Sequence, residues 1–300
     1  MKPIVLITGA NGMLAKYLAN DLSANYSIRF LTRNPKKANE YLWDLENNAI
    51  DTKALIGVEH IIHLAGASVA EKRWTNKRKQ EIYTSRIDSA QLILSELEKN
   101  KLTIKTFISA SAVGYYGTTT TNNILTEESP KGNDFLSDVC HQWENAAHKF
   151  KTNNIADRIA ILRIGIILQK NDGALKKMAL PIKFGIGSVL GTGEQFVPWI
   201  HIEDLSQLFK FTIENDKLNG VFNAVAPEYT SNNTLTKEIA RQLHRKIILP
   251  KTPKFILRLI FGEMAIILLE GSRVSSEKRS TAGFKFKYNN LKDAISNVID

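Results

Sequence analysis

The first half of the chain alternates short apolar runs with longer segments of helical periodicity. Five such runs predict strands, at residues 4–8, 27–32, 60–64, 106–109 and 158–163. Segments 14–22 and 80–97 place apolar residues three and four positions apart, which predicts amphipathic helices. Strands and helices that alternate in this way build a parallel sheet covered by helices. The pattern therefore predicts an α/β fold with a doubly wound parallel sheet of the Rossmann type.

The pattern changes after about residue 165. Recurrent glycines between 173 and 193 indicate loops around a site, and two prolines at 250 and 253 precede a last segment of helices with a short aromatic strand at 284–288. The apolar stretch 255–269 contains Arg258 and Glu263, which argues against a membrane span and favours buried helices. We predict three parts: a Rossmann domain at 1–165 with returning segments near 195–225, a smaller α/β substrate lobe at 166–249 interleaved with it, and a C-terminal domain at 250–300.

A glycine-rich turn follows the first predicted strand, where residues 8–15 read TGANGMLA. Gly9 allows the tight turn, Gly12 lets the backbone approach a pyrophosphate, and the small Ala15 lets the helix pack on the strand. The backbone amides and the positive end of the helix then receive the anion. This turn predicts a dinucleotide site with contacts from Thr8, Gly9, Asn11, Gly12, Met13 and Leu14.

The end of the second strand distinguishes NAD from NADP. An acidic residue there would hold the ribose 2′-hydroxyl, whereas an arginine favours the 2′-phosphate. This chain has Thr32 and Arg33, with Lys36 close behind and no acid nearby. The guanidinium offers a planar fork for phosphate, and the threonine offers a hydroxyl. We therefore expect NADP(H) as the cofactor.

Composition changes this picture little. The net charge is +10, and the densest basic run, at 72–79, has no nucleic-acid-binding motif beside it. We therefore interpret the run as a solvated helix face and expect no nucleic acid partner. Cys140 is the only cysteine, which excludes an intrachain disulfide, and we expect no metal site. No targeting segment is visible, and we expect a cytoplasmic protein without a membrane partner.

Further motifs carry a family resemblance. They are HLAG at 63–66, FISASAVGYYG at 107–117 and PWIHIEDL at 198–205. Together they resemble the extended short-chain dehydrogenase/reductases, the group of sugar-nucleotide epimerases and dehydratases. Trp74, Trp143 and the sequence from 269 to 284 are similar to one atypical subgroup, the "epimerase family protein" group with its own C-terminal domain of unknown function. Its members include a human NADP-binding protein and plastid or cyanobacterial division-related proteins.

The resemblance implies further cofactor contacts. Residues at the end of the third predicted strand would line the adenosine side, residues on the following helix would lie near the cofactor, and the backbone after Arg163 would approach the nicotinamide. The residues so implied are Leu64, Ala65, Gly66, Glu81, Arg86, Ser109, Arg163, Gly165 and Ile167. By the same resemblance, Asp204 caps a helix at 205–213 and His201 belongs to a structural hinge, with a role as proton donor as the alternative.

The catalytic residues depart from the family pattern. Working members carry Tyr-x-x-x-Lys, in which the lysine lowers the pKa of the tyrosine. The corresponding positions here are Leu136 and Cys140, and neither can perform that step. Ser111 matches the serine that polarises the substrate carbonyl, and its alternative is a hydroxyl that ends a strand. Either Tyr115 or Tyr116 could be the substitute phenol, with ordinary packing as the alternative, and we select Tyr115 as the candidate.

Two functions remain open at this stage. The first is an NADP(H)-dependent oxidoreductase or epimerase with a rearranged proton-transfer site, acting on an unidentified carbonyl or sugar-like substrate. The second is a non-catalytic NADP(H) sensor, with cell division suggested by the plastid relatives. We favour the enzyme because the cradle, the serine and a full-sized substrate lobe are all present. The sequence leaves the oligomeric state open and allows a homodimer.

Overall fold

The computed structural model describes residues 1–170 and 172–299. The strands are β1 (Ile4–Thr8), β2 (Ser27–Thr32), β3 (Glu40–Asp44), β4 (Ala49–Ile50), β5 (Val58–His63), β6 (Ile104–Ala112), β7 (Ile124–Leu125), β8 (Ala156–Ile164), β9 (Ile166–Leu168), β10 (Trp199–His201), β11 (Gly220–Ala224) and β12 (Arg273–Val274). The α-helices are α1 (Met13–Leu22), α2 (Asn76–Lys99), α3 (Phe135–Thr152), α4 (Gly173–Lys183), α5 (Ile202–Glu214), α6 (Asn232–Gln242), α7 (Lys254–Phe261), α8 (Ile266–Leu269), α9 (Glu277–Thr281) and α10 (Leu291–Ile299).

The main sheet has eight strands in the order β11-β8-β6-β5-β1-β2-β3-β4. All neighbours run parallel except β3 and β4, which form an antiparallel pair at one edge. The chain builds outwards from β1 towards β4 and then returns to build from β5 towards β11. The strand order therefore reverses between β1 and β5, and a ligand crevice is expected at the carboxyl ends of these two strands. The predicted doubly wound fold is confirmed.

Helices cover both faces of the sheet, and successive side chains of a strand point to opposite faces. Side chains on both faces are therefore buried. Leu6 packs into the layer formed with α2 and α3, whereas its neighbours Val5 and Ile7 pack into the layer formed with α1 and α5. All three side chains are completely buried. Because both faces of β1 are covered, every residue in its centre is apolar, and the strand forms an unbroken hydrophobic stretch in the sequence.

A second, smaller layer of structure lies beyond β8. The parallel pair β9–β10 packs with α4, α6 and α10 around a separate apolar cluster that includes Trp199, whose indole Nε1 donates to the Thr230 hydroxyl at 2.9 Å. The strand β12 pairs in parallel with β7 in a separate two-stranded sheet. None of the described helices is both long enough and apolar enough to span a bilayer.

Three expectations about the second half are wrong. Residues 284–288 form no strand, because the backbone N–H groups of Lys287 and Tyr288 donate to the Asp204 carboxylate at 2.7 and 3.0 Å instead of to a neighbouring strand. Asp204 is consequently not the cap of α5. That cap is His201, whose Nδ1 accepts the Glu203 N–H at 3.2 Å.

The third correction concerns α7. Its apolar residues were expected to belong to a buried helix, and Leu257 does so with 4% of its surface exposed. Phe255, Leu259 and Ile260 instead point to solvent, with 69%, 76% and 55% of their surfaces exposed. The hydrophobic stretch therefore contributes one buried face and one exposed face.

Candidate functional site

The glycine turn after β1 has the geometry of a phosphate cradle. Gly9 has a φ of +74°, and a Cβ there would lie 3.4 Å from the Leu64 carbonyl, so only glycine fits without strain. The Gly12 N–H donates to the Gly9 carbonyl at 2.8 Å, and α1 begins at the next residue, Met13. Among the residues that the structure describes, no side chain caps this end of α1, and the first turn of the helix carries no acidic residue. The exposed Asn11 and Gly12 therefore lead to amides that can receive an anion.

Thr8 fastens the two strands at the point where their order reverses. Its buried hydroxyl accepts hydrogen bonds from the backbone N–H groups of Leu64 and Ala65 at 2.9 and 3.0 Å. The end of β5 is thereby held against the turn at Gly9. Thr8 thus shapes the crevice through its side chain and leaves ligand contacts to the backbone. Met13 and Leu14 follow on α1 and are half-buried.

The end of β2 presents its cation to solvent. The Thr32 side chain is buried and its Oγ1 accepts the Asn34 N–H at 3.4 Å, while Arg33 is exposed. The Glu40 carboxylate accepts the Lys36 N–H at 2.7 Å and orders the loop that follows. Within residues 1–170 and 172–299, no carboxylate lies within ion-pair distance of Arg33, whose guanidinium can accordingly accept a phosphate.

Arg86 lies beside the loop that follows β5. A Cβ on the exposed Gly66 would come within 2.9 Å of the Arg86 guanidinium carbon, so glycine lets the guanidinium lie against this loop without a shift of the side chain. The guanidinium lies 5.0 Å from the Trp143 ring centroid and donates to the Ile82 carbonyl at 2.9 Å. Burial lowers the pKa of Arg86 to about 10, which leaves it cationic at neutral pH. The structure thus brings one positive charge to the mouth of the crevice.

Glu81 does not pair with Arg86. Its carboxylate accepts a hydrogen bond from Arg78 at 2.9 Å, and this contact lowers the pKa of Glu81. Arg78 also donates to the Ser68 carbonyl, so Glu81 helps to hold the segment after Gly66. Its observed role is to fix the loop beside the crevice.

The centre of the site is a buried ion pair between α3 and β8. Arg163 binds Glu144 through two parallel hydrogen bonds of 2.8 Å, from Nε to Oε1 and from Nη2 to Oε2. Ser111 donates to the same Glu144 Oε1 at 2.7 Å. The side chains of the ion pair are only 3% and 5% exposed. Burial disfavours the Arg163 cation, but the hydrogen bonds and charge of Glu144 outweigh burial and raise the pKa of Arg163.

The two tyrosines after β6 have different surroundings. Tyr116 is buried, donates to the Asn223 side-chain oxygen at 2.6 Å and accepts from Arg163 at 3.0 Å. Burial raises the pKa of Tyr116 to about 12, so it is a structural phenol. Tyr115 is half-buried, and its ring lies 3.4 Å from the Arg163 guanidinium carbon. Among the described residues, none hydrogen-bonds the Tyr115 hydroxyl, which is thus available to a ligand.

The positions of the missing tyrosine and lysine are packed against the loop that carries Tyr115. A Cβ on Gly114 would lie 3.5 Å from Leu136 and 3.7 Å from the Cys140 sulfur. Burial raises the pKa of Cys140 to about 12, and the thiol is neutral at physiological pH. Neither residue supplies an acid, a base or a cation.

The remaining expected contacts lie at the carboxyl ends of β6 and β8. The Ser109 hydroxyl is buried and donates to the Ala110 carbonyl at 2.9 Å. Gly165 joins β8 to β9, and a Cβ there would lie 2.6 Å from the Pro198 carbonyl oxygen. Ile167 is half-buried in β9. Their contact with a cofactor stays a prediction.

Sequence reasoning did not identify Glu144 or Asn223 as site residues. Their partners come from strands and helices distant in the chain, which no local pattern reveals. One signal was present for Glu144, because it interrupts the apolar face that α3 forms with Cys140, Trp143 and Ala147. A charged residue on a buried face is rarely left unpaired.

The fold and the crevice define a class of protein. A doubly wound sheet whose strand order reverses at a glycine cradle is the architecture of a nicotinamide-dinucleotide-binding Rossmann protein. Residues 5–150 match the NAD dependent epimerase/dehydratase family, and residues 252–298 match a domain of unknown function, DUF1731.

Full-length relatives narrow the class. Epimerase family protein YfhF of Bacillus subtilis is 35% identical over 300 residues, with 98% of this chain and 97% of the relative covered. The crystal structure of human epimerase family protein SDR39U1 (isoform 2) with NADPH superposes with a TM-score of 0.87 at 28% identity over 99% of each chain. A Corynebacterium glutamicum nucleoside-diphosphate sugar epimerase gives 0.81 at 28% identity, over 100% of this chain and 58% of that one. The chain belongs to the epimerase family, within the atypical short-chain dehydrogenase/reductases, as its motifs predicted.

Proposed function

We propose that the chain binds NADP(H) between β1 and β5 and acts as an oxidoreductase or epimerase on a carbonyl-containing or sugar-like small molecule. The observation that carries the cofactor assignment is the exposed Arg33 at the end of β2, together with the N-terminus of α1, which follows Gly12 and has no side-chain cap among the described residues. The residues present fit the cofactor, because Gly9 and Gly12 leave the turn without side chains where a pyrophosphate would approach the backbone, and a Cβ at Gly12 would lie 3.2 Å from the Gly9 carbonyl oxygen. The NADPH complex of the human relative supports the same assignment.

When bound, NADP(H) supplies or accepts a hydride at its nicotinamide. The chain must then supply or remove a proton at the substrate oxygen. We assign this proton to the Tyr115 hydroxyl, because Ser111 already donates to Glu144 and Tyr116 to Asn223. The Arg163 guanidinium stacks on the Tyr115 ring at 3.4 Å and holds this ring in one orientation at the site.

Ser111 takes a different part from the one its position suggested. The Ser111 hydroxyl donates its hydrogen bond to the Glu144 carboxylate, and the residue is only 2% exposed. We therefore propose that Ser111 fixes Glu144, that Glu144 fixes Arg163, and that Arg163 holds the ring of Tyr115. The same commitment of Ser111 favours a second candidate, a non-catalytic NADP(H) sensor, in which the ion pair has only a structural role.

Substitution of Arg33 tests the cofactor assignment. An arginine–phosphate contact is a charge-assisted interaction, so Arg33→Ala should weaken NADPH binding by about 10- to 100-fold and NADH binding by about twofold or less. Lys149→Ala removes an exposed cation from the end of α3 far from β2 and serves as the control. Fluorescence titration with both nucleotides measures the two affinities. Equal losses of affinity for NADPH and NADH would contradict the assignment of NADP(H) as the cofactor.

A crystal structure with NADPH separates the enzyme from the sensor. For the enzyme we expect a solvent-connected polar cavity beside the nicotinamide C4, with the Tyr115 hydroxyl turned into it. If Leu136 covers C4 or Tyr115 turns away from it, the enzyme proposal fails and the sensor remains. A cytoplasmic location, the absence of nucleic acid partners and an optional homodimer stay predictions from the sequence.

A further inference from the structure

Exposed apolar side chains are concentrated on one side of the molecule. Of the thirteen large hydrophobic residues that are exposed in the described chain, eight belong to the end of α4 and its following loop or to the segment from 248 to the end of α7. They are Leu180, Phe184, Ile186, Ile248, Leu249, Phe255, Leu259 and Ile260. We call this set, with the cations between its members, the α4–α7 surface.

The two segments of this surface are joined by the backbone. The Thr252 N–H donates to the Val189 carbonyl at 2.8 Å, and the Gly191 N–H donates to the Thr252 carbonyl at 2.9 Å. A further hydrogen bond links the hydroxyls of Ser188 and Thr252. The loop after α4 and the loop before α7 are thus fixed side by side, so their apolar tips form one neighbourhood on the folded protein.

The charge of the surface has one sign. Residues 180–190 and 244–262 contain six lysines and arginines and no aspartate or glutamate. The six are Lys183, Arg245, Lys246, Lys251, Lys254 and Arg258. Lys254 lies 3.4 Å from Glu270, and Glu263, the residue after the second range, lies 2.7 Å from Lys79. Within residues 1–170 and 172–299 the other five cations form no ion pair. The apolar tips are therefore surrounded by positive charge.

We propose that the α4–α7 surface docks on an anionic lipid bilayer. Basic residues interleaved with exposed Phe, Leu and Ile are the combination by which proteins lie on a membrane surface, with apolar tips in the headgroup region and cations at the lipid phosphates. A second copy of this chain fits less well, because a two-fold contact would place the six cations against the same six. The docked protein would keep its fold and span nothing, which differs from the sequence expectation of no membrane partner.

Sedimentation of the full chain with lipid vesicles tests the proposal. We expect binding to phosphatidylcholine vesicles that contain about one third phosphatidylglycerol, no binding to phosphatidylcholine alone, and loss of binding at about 0.5 M salt. Leu259→Glu should weaken binding by about tenfold because it removes an inserted apolar group. The control is Ile56→Glu, at an exposed isoleucine near the start of β5, which should bind like the unmodified chain.

Charge reversal provides the second arm. Arg245→Glu and Lys246→Glu should each weaken vesicle binding by about fivefold or more, whereas Lys149→Glu on α3 should not. An unchanged NADPH affinity shows that each variant is folded and separates this proposal from the cofactor assignment. Absence of binding to the anionic vesicles overturns the proposal. So does a dimer in sedimentation velocity that Leu259→Glu abolishes, since the surface would then be an interface between copies.

Discussion

Replacement of Glu144 by glutamine tests the buried ion pair at the centre of the site. Glutamine keeps the shape of the side chain but removes the charge that receives Arg163 Nε, Arg163 Nη2 and the Ser111 hydroxyl. The guanidinium would then be a buried cation without a counter-charge. Breaking one partner of such a pair costs about 3–5 kcal/mol. With an unfolding entropy of about 2.1 cal/mol/K per residue over 300 residues, the expected fall in Tm is about 5–8 °C.

The assay is chemical denaturation in parallel with thermal unfolding. Glu46→Gln, at an exposed glutamate, is the matched control and should change stability by about 0.5 kcal/mol or less. The double variant Glu144→Leu, Arg163→Met should recover much of the loss because no charge is left buried. A loss below about 1 kcal/mol in Glu144→Gln would show that water or another group reaches Arg163, and the account of the ion pair would be refuted.

Two further predictions follow from burial. The Cys140 thiol, whose pKa burial raises to about 12, should react with a thiol reagent at about pH 8 only after unfolding, and rapid labelling of the native chain would contradict its burial. Burial lowers the pKa of His63 to about 3, so the folded chain holds it neutral while the unfolded chain protonates it below about pH 6.5. Stability should therefore fall by about 2 kcal/mol from this residue between pH 7 and 5, and His63→Asn should show a shallower fall in urea titrations; an unchanged slope would argue against it.

The cradle could be predicted from the sequence because its information is local. The strand, the two glycines at Gly9 and Gly12 and the helix follow one another directly, and the structure has β1 and β2 at the expected bounds. The strands β4 and β11 were not expected. Two residues are too few for β4 to show a period, and β11 contains Gly220 and Asn223, residue types that are depleted in strands.

The central ion pair could not be predicted in the same way. Ser111 and Arg163 were expected separately at the ends of two strands, and only the packing of α3 across β6 and β8 brings Glu144 between them. Position in the sequence therefore indicated two of the three residues but not the glutamate that joins them. For Ser111 it suggested a contact with the substrate, whereas in the structure the hydroxyl donates to Glu144.

The aromatic segment at 284–288 shows the opposite failure. Phe284, Phe286 and Tyr288 alternate with lysines, which is the period of a strand. The apolar side chains do pack inwards, but no strand lies beside the segment, and the carboxylate of Asp204 takes the backbone N–H groups instead. The spacing of apolar residues indicates which side chains are buried, but it does not indicate which groups accept the backbone hydrogen bonds. The exposed face of α7 is a similar case, because a stripe in a core and a stripe on a surface have the same spacing.

The central claim is that the crevice between β1 and β5 is built for NADP(H). Equilibrium titration of the unmodified chain with NADPH and with NADH measures this directly. At the end of β2, Thr32 is followed by Arg33 and not by an acidic residue. NADPH should therefore bind at least about tenfold more tightly than NADH. Equal affinities, or tighter binding of NADH, would contradict the account.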